Sequence, residues 1–72
     1  MRARTFALSR GEALKVDAIG GMSLHVSTGG LRVSDCVGES YLHRGESMAL
    51  SGGCTTLITA AEPSVFEVRR GS

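Results

Sequence analysis

This chain of 72 residues has no tryptophan, one tyrosine and two phenylalanines, so it offers no platform on which successive bases stack. No apolar run approaches the roughly 20 residues that span a bilayer, which argues against a membrane segment. The stretch Phe6-Ala7-Leu8, which follows the basic Met1-Arg2-Ala3-Arg4, breaks at Ser9-Arg10-Gly11-Glu12 and is too short for an export signal. The two cysteines, Cys36 and Cys54, form no C-x-x-C pair and are too few for a disulfide framework. They read as free thiols, and the expected location is cytoplasmic. Neither charge dominates: eight basic and seven acidic residues give a net charge of +1. A large field that would draw in nucleic acid is therefore not expected.

Several chemistries lack their residues. A divalent ion needs convergent nitrogen and oxygen ligands, but the two histidines, His25 and His43, make no H-x-H pair, so no metal and no cofactor is expected. Gly38-Glu39-Ser40 and Gly45-Glu46-Ser47 lack the second glycine of a G-x-S-x-G elbow. The glycine pairs lie between strand-like segments, whereas phosphate-cradling loops open a helix. No catalytic residue is assigned.

What is present is the texture of an all-β domain. Ten glycines and one proline, Pro63, separate short segments in which apolar residues alternate with polar or small ones. Phe6 and Leu8 share a face, as do Leu14 and Val16, then Met22, Leu24 and Val26, then Leu31 and Val33. The pattern resumes at Tyr41-Leu42, Met48 and Leu50, Thr55 to Ala60, and Phe66 and Val68. His25, between Leu24 and Val26, should point outward. One rival exists near residues 9–17, because Ser9-x-x-Glu12 is also a helix capping box. Gly11 in a first helical turn and the two-fold alternation at Leu14 and Val16 favour the strand.

The segment Leu8 to Val16 reappears 34 positions later as Leu42 to Leu50, with Leu, Arg, Gly and Glu coinciding. The same offset lays Leu24 on Ile58 and Val26 on Ala60. A period of this size marks a duplicated unit that cannot bury its own apolar face, so the halves should close on each other. The expected fold is a small antiparallel jelly roll, a cupin-like β-sandwich of about eight short strands built from two similar halves. It forms one domain over residues 1–72, with a core at about 5–68 and flexible, arginine-bearing ends at 1–4 and 69–72.

The order Arg10-Gly11-Glu12-x-Leu14-x-Val16, the Gly20-Gly21 turn, Leu24-x-Val26-x-x-Gly29-Gly30-Leu31-x-Val33 and a second Arg44-Gly45-Glu46 resembles a family of small bacterial cupin-like domains of unknown function. The resemblance spans about Phe6 to Val68 and implies a fold without an activity.

Two residue groups are candidates for recognition. Tyr41, His43, Arg44 and Glu46 would lie near a barrel mouth as a ligand-binding set. Arg2, Arg4, Arg69 and Arg70 sit at the two ends and leave a body of −3 between them. If the termini are close, they form one basic edge. Across the R-G-E turn, His43 and Glu46 have no evident reason to converge. The favoured reading is a non-catalytic binding or assembly module that pairs with another protomer or a protein partner through strand edges and small outer faces such as Ser23, Ser27 and Ala49. The alternative is a minimal cupin-like enzyme or a small-ligand or metal sensor.

Overall fold

The structure, a computed structural model, describes residues 2–18 and 20–70, apart from the side chain of Arg2. It contains eight strands: β1 (Arg2–Leu8), β2 (Ala13–Asp17), β3 (Met22–Thr28), β4 (Gly30–Ser34), β5 (Glu39–His43), β6 (Ser47–Ala49), β7 (Thr55–Ala60) and β8 (Ser64–Arg70). Each expected alternation becomes a strand, and residues 13–17 are strand rather than helix.

Two four-stranded antiparallel sheets result, with orders β1-β8-β3-β6 and β2-β7-β4-β5. This is the jelly-roll order. Among these pairings only β4–β5 joins strands consecutive in the chain. Exchanging β1 with β5, β8 with β4, β3 with β7 and β6 with β2 turns one sheet order into the other. The repeat of 34 residues is visible in the register: Leu14 pairs with Ile58, and Met48, 34 residues after Leu14, pairs with Leu24, 34 before Ile58. Each half thus lends strands to both sheets.

The inward faces supply the core. Leu24, Val26, Leu31, Val33, Ile58 and Phe66 are essentially inaccessible to water. Phe6 lies opposite Phe66 across β1 and β8, with ring centroids 5.5 Å apart, a stacked pair worth about 0.5–1.5 kcal/mol beyond its buried area. A bulge between Val26 and Thr28 ends the regular ladder of β3, and the chain then crosses to the other sheet through Gly29, whose φ is 88°. Ser64 is buried against this crossover. Its Oγ accepts from Gly30 N at 3.0 Å and lies 2.7 Å from the Glu62 carbonyl.

Two expectations are corrected here. Arg2 to Arg4 and Arg69 to Arg70 are not tails, because β1 and β8 pair along their whole length, with Arg2 opposite Arg70. Of the residues expected to be flexible, Met1, Gly71 and Ser72 lie outside the described set. Cys36 and Cys54 are not free thiols but form a disulfide, with Cα atoms 5.9 Å apart. The chain leaves β4, returns along β5 and leaves again along β6, so the loops after β4 and β6 meet at one end of the sandwich. That separation is ordinary for a bridge.

Candidate functional site

The two R-G-E segments are the same turn built twice. In the first, Glu12 N donates to the Ser9 carbonyl at 3.0 Å and Gly11 has φ 85°; in the second, Glu46 N donates to the His43 carbonyl at 2.9 Å and Gly45 has φ 84°. A glycine at the third position with positive φ is the signature of a type II turn. The glutamate then reaches back over its own turn. Glu12 Oε1 accepts from Ser9 N at 2.6 Å and Glu46 Oε1 accepts from His43 N at 2.7 Å. Among the described residues neither Arg10 nor Arg44 makes an ion pair.

In the second copy a histidine stands where the first has serine. His43 Nδ1 lies 3.1 Å from Glu46 Oε1, so these side chains do converge, contrary to expectation, because the turn folds the fourth residue over the first. The hydrogen bond from the His43 backbone N–H, followed by that from its ring, holds the Glu46 carboxyl below the usual carboxylate range.

Tyr41 shares the outer face of β5 with His43 but takes its polar contact elsewhere. It is 62% exposed and stands opposite Arg32 of β4. Its hydroxyl donates to Glu39 Oε1 at 3.2 Å, and Arg32 Nε lies 3.9 Å from the same oxygen. By contact, the four candidates therefore split into a cluster around Tyr41 and an exposed His43–Glu46 turn with Arg44 at its tip. Among the described residues no three histidine, cysteine or acidic side chains gather as a metal site.

Just before β5, the turn after β4 displays Val37, 80% exposed. This turn is fastened four ways, beginning with Asp35 N, which donates to the Gly38 carbonyl at 3.0 Å. Asp35 Oδ1 accepts from Val37 N at 2.9 Å and Gly38 N at 3.1 Å, and Cys36 is bridged to Cys54. Asp35 heading a turn was a readable signal, whereas nothing local marks Val37 as a surface residue.

Of the four candidate arginines, Arg4 and Arg70 come together at the opposite side of the sandwich, and the side chain of Arg2 lies outside the described set. Arg4 and Arg70 line an open cleft of about 640 Å³ with Ala3, Met22 and Val68. An adjoining hollow of about 320 Å³ continues from Arg4, Met22 and Val68 to Phe6, Leu14 and Val16, with Lys15 and Asp17 at its margin. Arg69 turns to the other face, where its Nε contacts the Glu67 carboxylate. No known family model, curated protein or solved structure matches the chain. Function must therefore be argued from these sites. His25 faces outward as expected, its Nδ1 2.6 Å from Ser47 Oγ, in a cross-strand row with Glu67 and Thr5. Among the described residues no membrane-crossing helix occurs.

Proposed function

We propose that this chain is a non-catalytic assembly module that pairs with a second copy of itself through the β5 edge. The carrying observation is an exposed apolar residue, Val37, held on a rigid turn beside a sheet edge that lacks the usual safeguards. Sheet edges are guarded by charges, brevity or bulges. β1 carries Arg4 on its inward-facing side, β2 carries Lys15 and Asp17, and β6 is three residues long. On β5 the charged Glu39 is already engaged by Tyr41 and Arg32.

The sequence of β5 also suits self-pairing. An antiparallel match centred on Tyr41 sets Glu39 of one copy opposite His43 of the other at both ends, so no like charges face each other across the pair. Because a two-fold interface presents the same patch on both copies, one strand can serve both sides. Sedimentation equilibrium at high micromolar concentration should give twice the 7.5 kDa chain mass, and Val37→Asp with Tyr41→Lys should return it to one. A parent protein that stays monomeric at that concentration overturns the reading.

The second reading, a small-ligand or metal sensor in a cupin-like domain, is supported by the strand order and the His43–Glu46 contact. Stoichiometric iron, zinc, nickel or manganese in protein purified without a histidine tag would favour it.

A further inference from the structure

We propose that the cleft between the β1 and β2 edges binds an amphipathic oxyanion, a single carboxylate or phosphate head on an unbranched aliphatic tail. Arg4 and Arg70 lie on the same inward face of adjacent strands: Arg4 pairs with Val68, two residues before Arg70. Diagonal neighbours of this kind are roughly 7–8 Å apart, a span that one oxyanion bridges with a guanidinium on each side. Among the described residues neither arginine has an ion-pair partner. Like charges at neighbouring positions repel as their side chains approach, and an anion between them offsets that repulsion.

Behind the arginines the lining turns apolar. Met22 and Val68 form the floor of the first hollow, and Phe6, Leu14 and Val16 line its continuation toward the core. A head group alone would leave that surface wet, and a neutral hydrocarbon would leave the arginines unmatched. Lys15 and Asp17 offset one another at the margin, so the cleft keeps the charge of Arg4 and Arg70.

The internal repeat supplies a comparison within the same molecule. The opening at the equivalent place between β5 and β6 is smaller, about 260 Å³, and is lined by Asp35, Glu39, Ser40 and Ser51 with Val37, Gly38 and Met48. The turn pinned by the Cys36–Cys54 bridge borders it. One scaffold built twice thus has a small acidic opening on one side and a larger basic, apolar-floored one on the other. The anion cleft lies away from the β5 edge and does not depend on self-association.

Titration of the oxidised full chain with decanoate and with decyl phosphate, followed by the methyl resonances of Met22 and Val68, tests this directly. Saturable shifts at both methyls are expected, with affinity rising about three- to fourfold per methylene between hexanoate and decanoate. The tighter of the two decyl ligands names the head. Arg4→Gln and Arg70→Gln should each weaken binding about tenfold while leaving the rest of the spectrum in place, since each removes one charge-assisted contact. Decanol binding as well as decanoate, or inorganic phosphate binding as well as decyl phosphate, overturns the proposal. So do methyl resonances that stay fixed with both decyl ligands.

Discussion

Replacing Gly29 by alanine separates two costs that a glycine substitution usually mixes. At Gly45 an added Cβ meets nothing within 4 Å, so Gly45→Ala pays only for a left-handed backbone at φ 84°, about 1–2 kcal/mol. Gly29 has nearly the same φ, 88°, but its Cβ would lie 2.5 Å from the Pro63 carbonyl oxygen and 2.7 Å from Ser64 Cα, as well as against Ser64 Oγ. Two of these neighbours are backbone and cannot rotate away, so residues 63 and 64 must move. That motion disturbs the buried bond from Gly30 N to Ser64 Oγ and the contact of Ser64 Oγ with the Glu62 carbonyl. A buried polar group left unpaired costs about 1–3 kcal/mol and overpacking a similar amount, so Gly29→Ala should cost roughly 2–6 kcal/mol beyond the left-handed backbone cost it shares with Gly45→Ala. A core of this size supplies roughly 3–5 kcal/mol and a bridge across an 18-residue separation about 3 more, so Gly29→Ala removes most of the stability. Urea unfolding of both variants in parallel measures the difference, and with a slope of about 1 kcal/mol/M the midpoints should differ by at least about 2 M. Midpoints within about 0.5 M of each other would show that the crossover has room for a side chain, and would refute the reasoning.

Other consequences follow from single contacts. Thr56 is fully buried and, among the described residues, its Oγ1 has no hydrogen-bond partner, so Thr56→Val should stabilise the fold by about 1 kcal/mol and raise the melting temperature by about 4–8 °C in a calorimeter. Reducing Cys36–Cys54, or Cys36→Ser with Cys54→Ser, should lower the unfolding free energy by about 3 kcal/mol in the same urea assay. Glu46 should titrate below an ordinary glutamate in a carbon-detected NMR titration. Because its folded pKa is depressed, its contribution to stability is present above the unfolded-state pKa and is lost as pH falls through the lower folded value. In His43→Ala most of this depression should remain, since its largest cause is the backbone N–H of residue 43; full reversion would assign it to the imidazole.

The strands were legible because apolar residues recurring with a period of two fit an extended strand with one wet face and fit a helix poorly. Leu24, Val26, Leu31, Val33, Phe66 and Val68 all fall on that alternation, and all are buried. The repeat was legible for the same reason, and it carried the pairing of Leu14 with Ile58 and of Met48 with Leu24. The pattern Ser9-x-x-Glu12 was a true signal of a glutamate reaching back to a backbone N–H three residues earlier, but that contact serves a tight turn here as it serves a helix start elsewhere. His43 and Glu46 meet through the same geometry, which spacing alone does not distinguish from an open loop. The nearness of Arg4 and Arg70 followed from their places at the two ends, but the disulfide and the apolar lining of the arginine cleft were not legible. Each is assembled from segments far apart in the chain, and neither leaves a local pattern at Cys36, Met22 or Val68.

The strand order also sets when this protein can fold. Among the described residues, β1 pairs in its sheet with β8 alone, and β8 lies between β1 and β3. On the ribosome, Arg2–Leu8 therefore emerges with an exposed ladder of donors and acceptors and no partner until Ser64–Arg70 has been made. Folding of that sheet therefore waits on pairing between segments more than fifty residues apart, with a large loop-closure cost that slows it. Until then Phe6 stays without Phe66, and the unpaired β1 is the segment a nascent chain would need to shield.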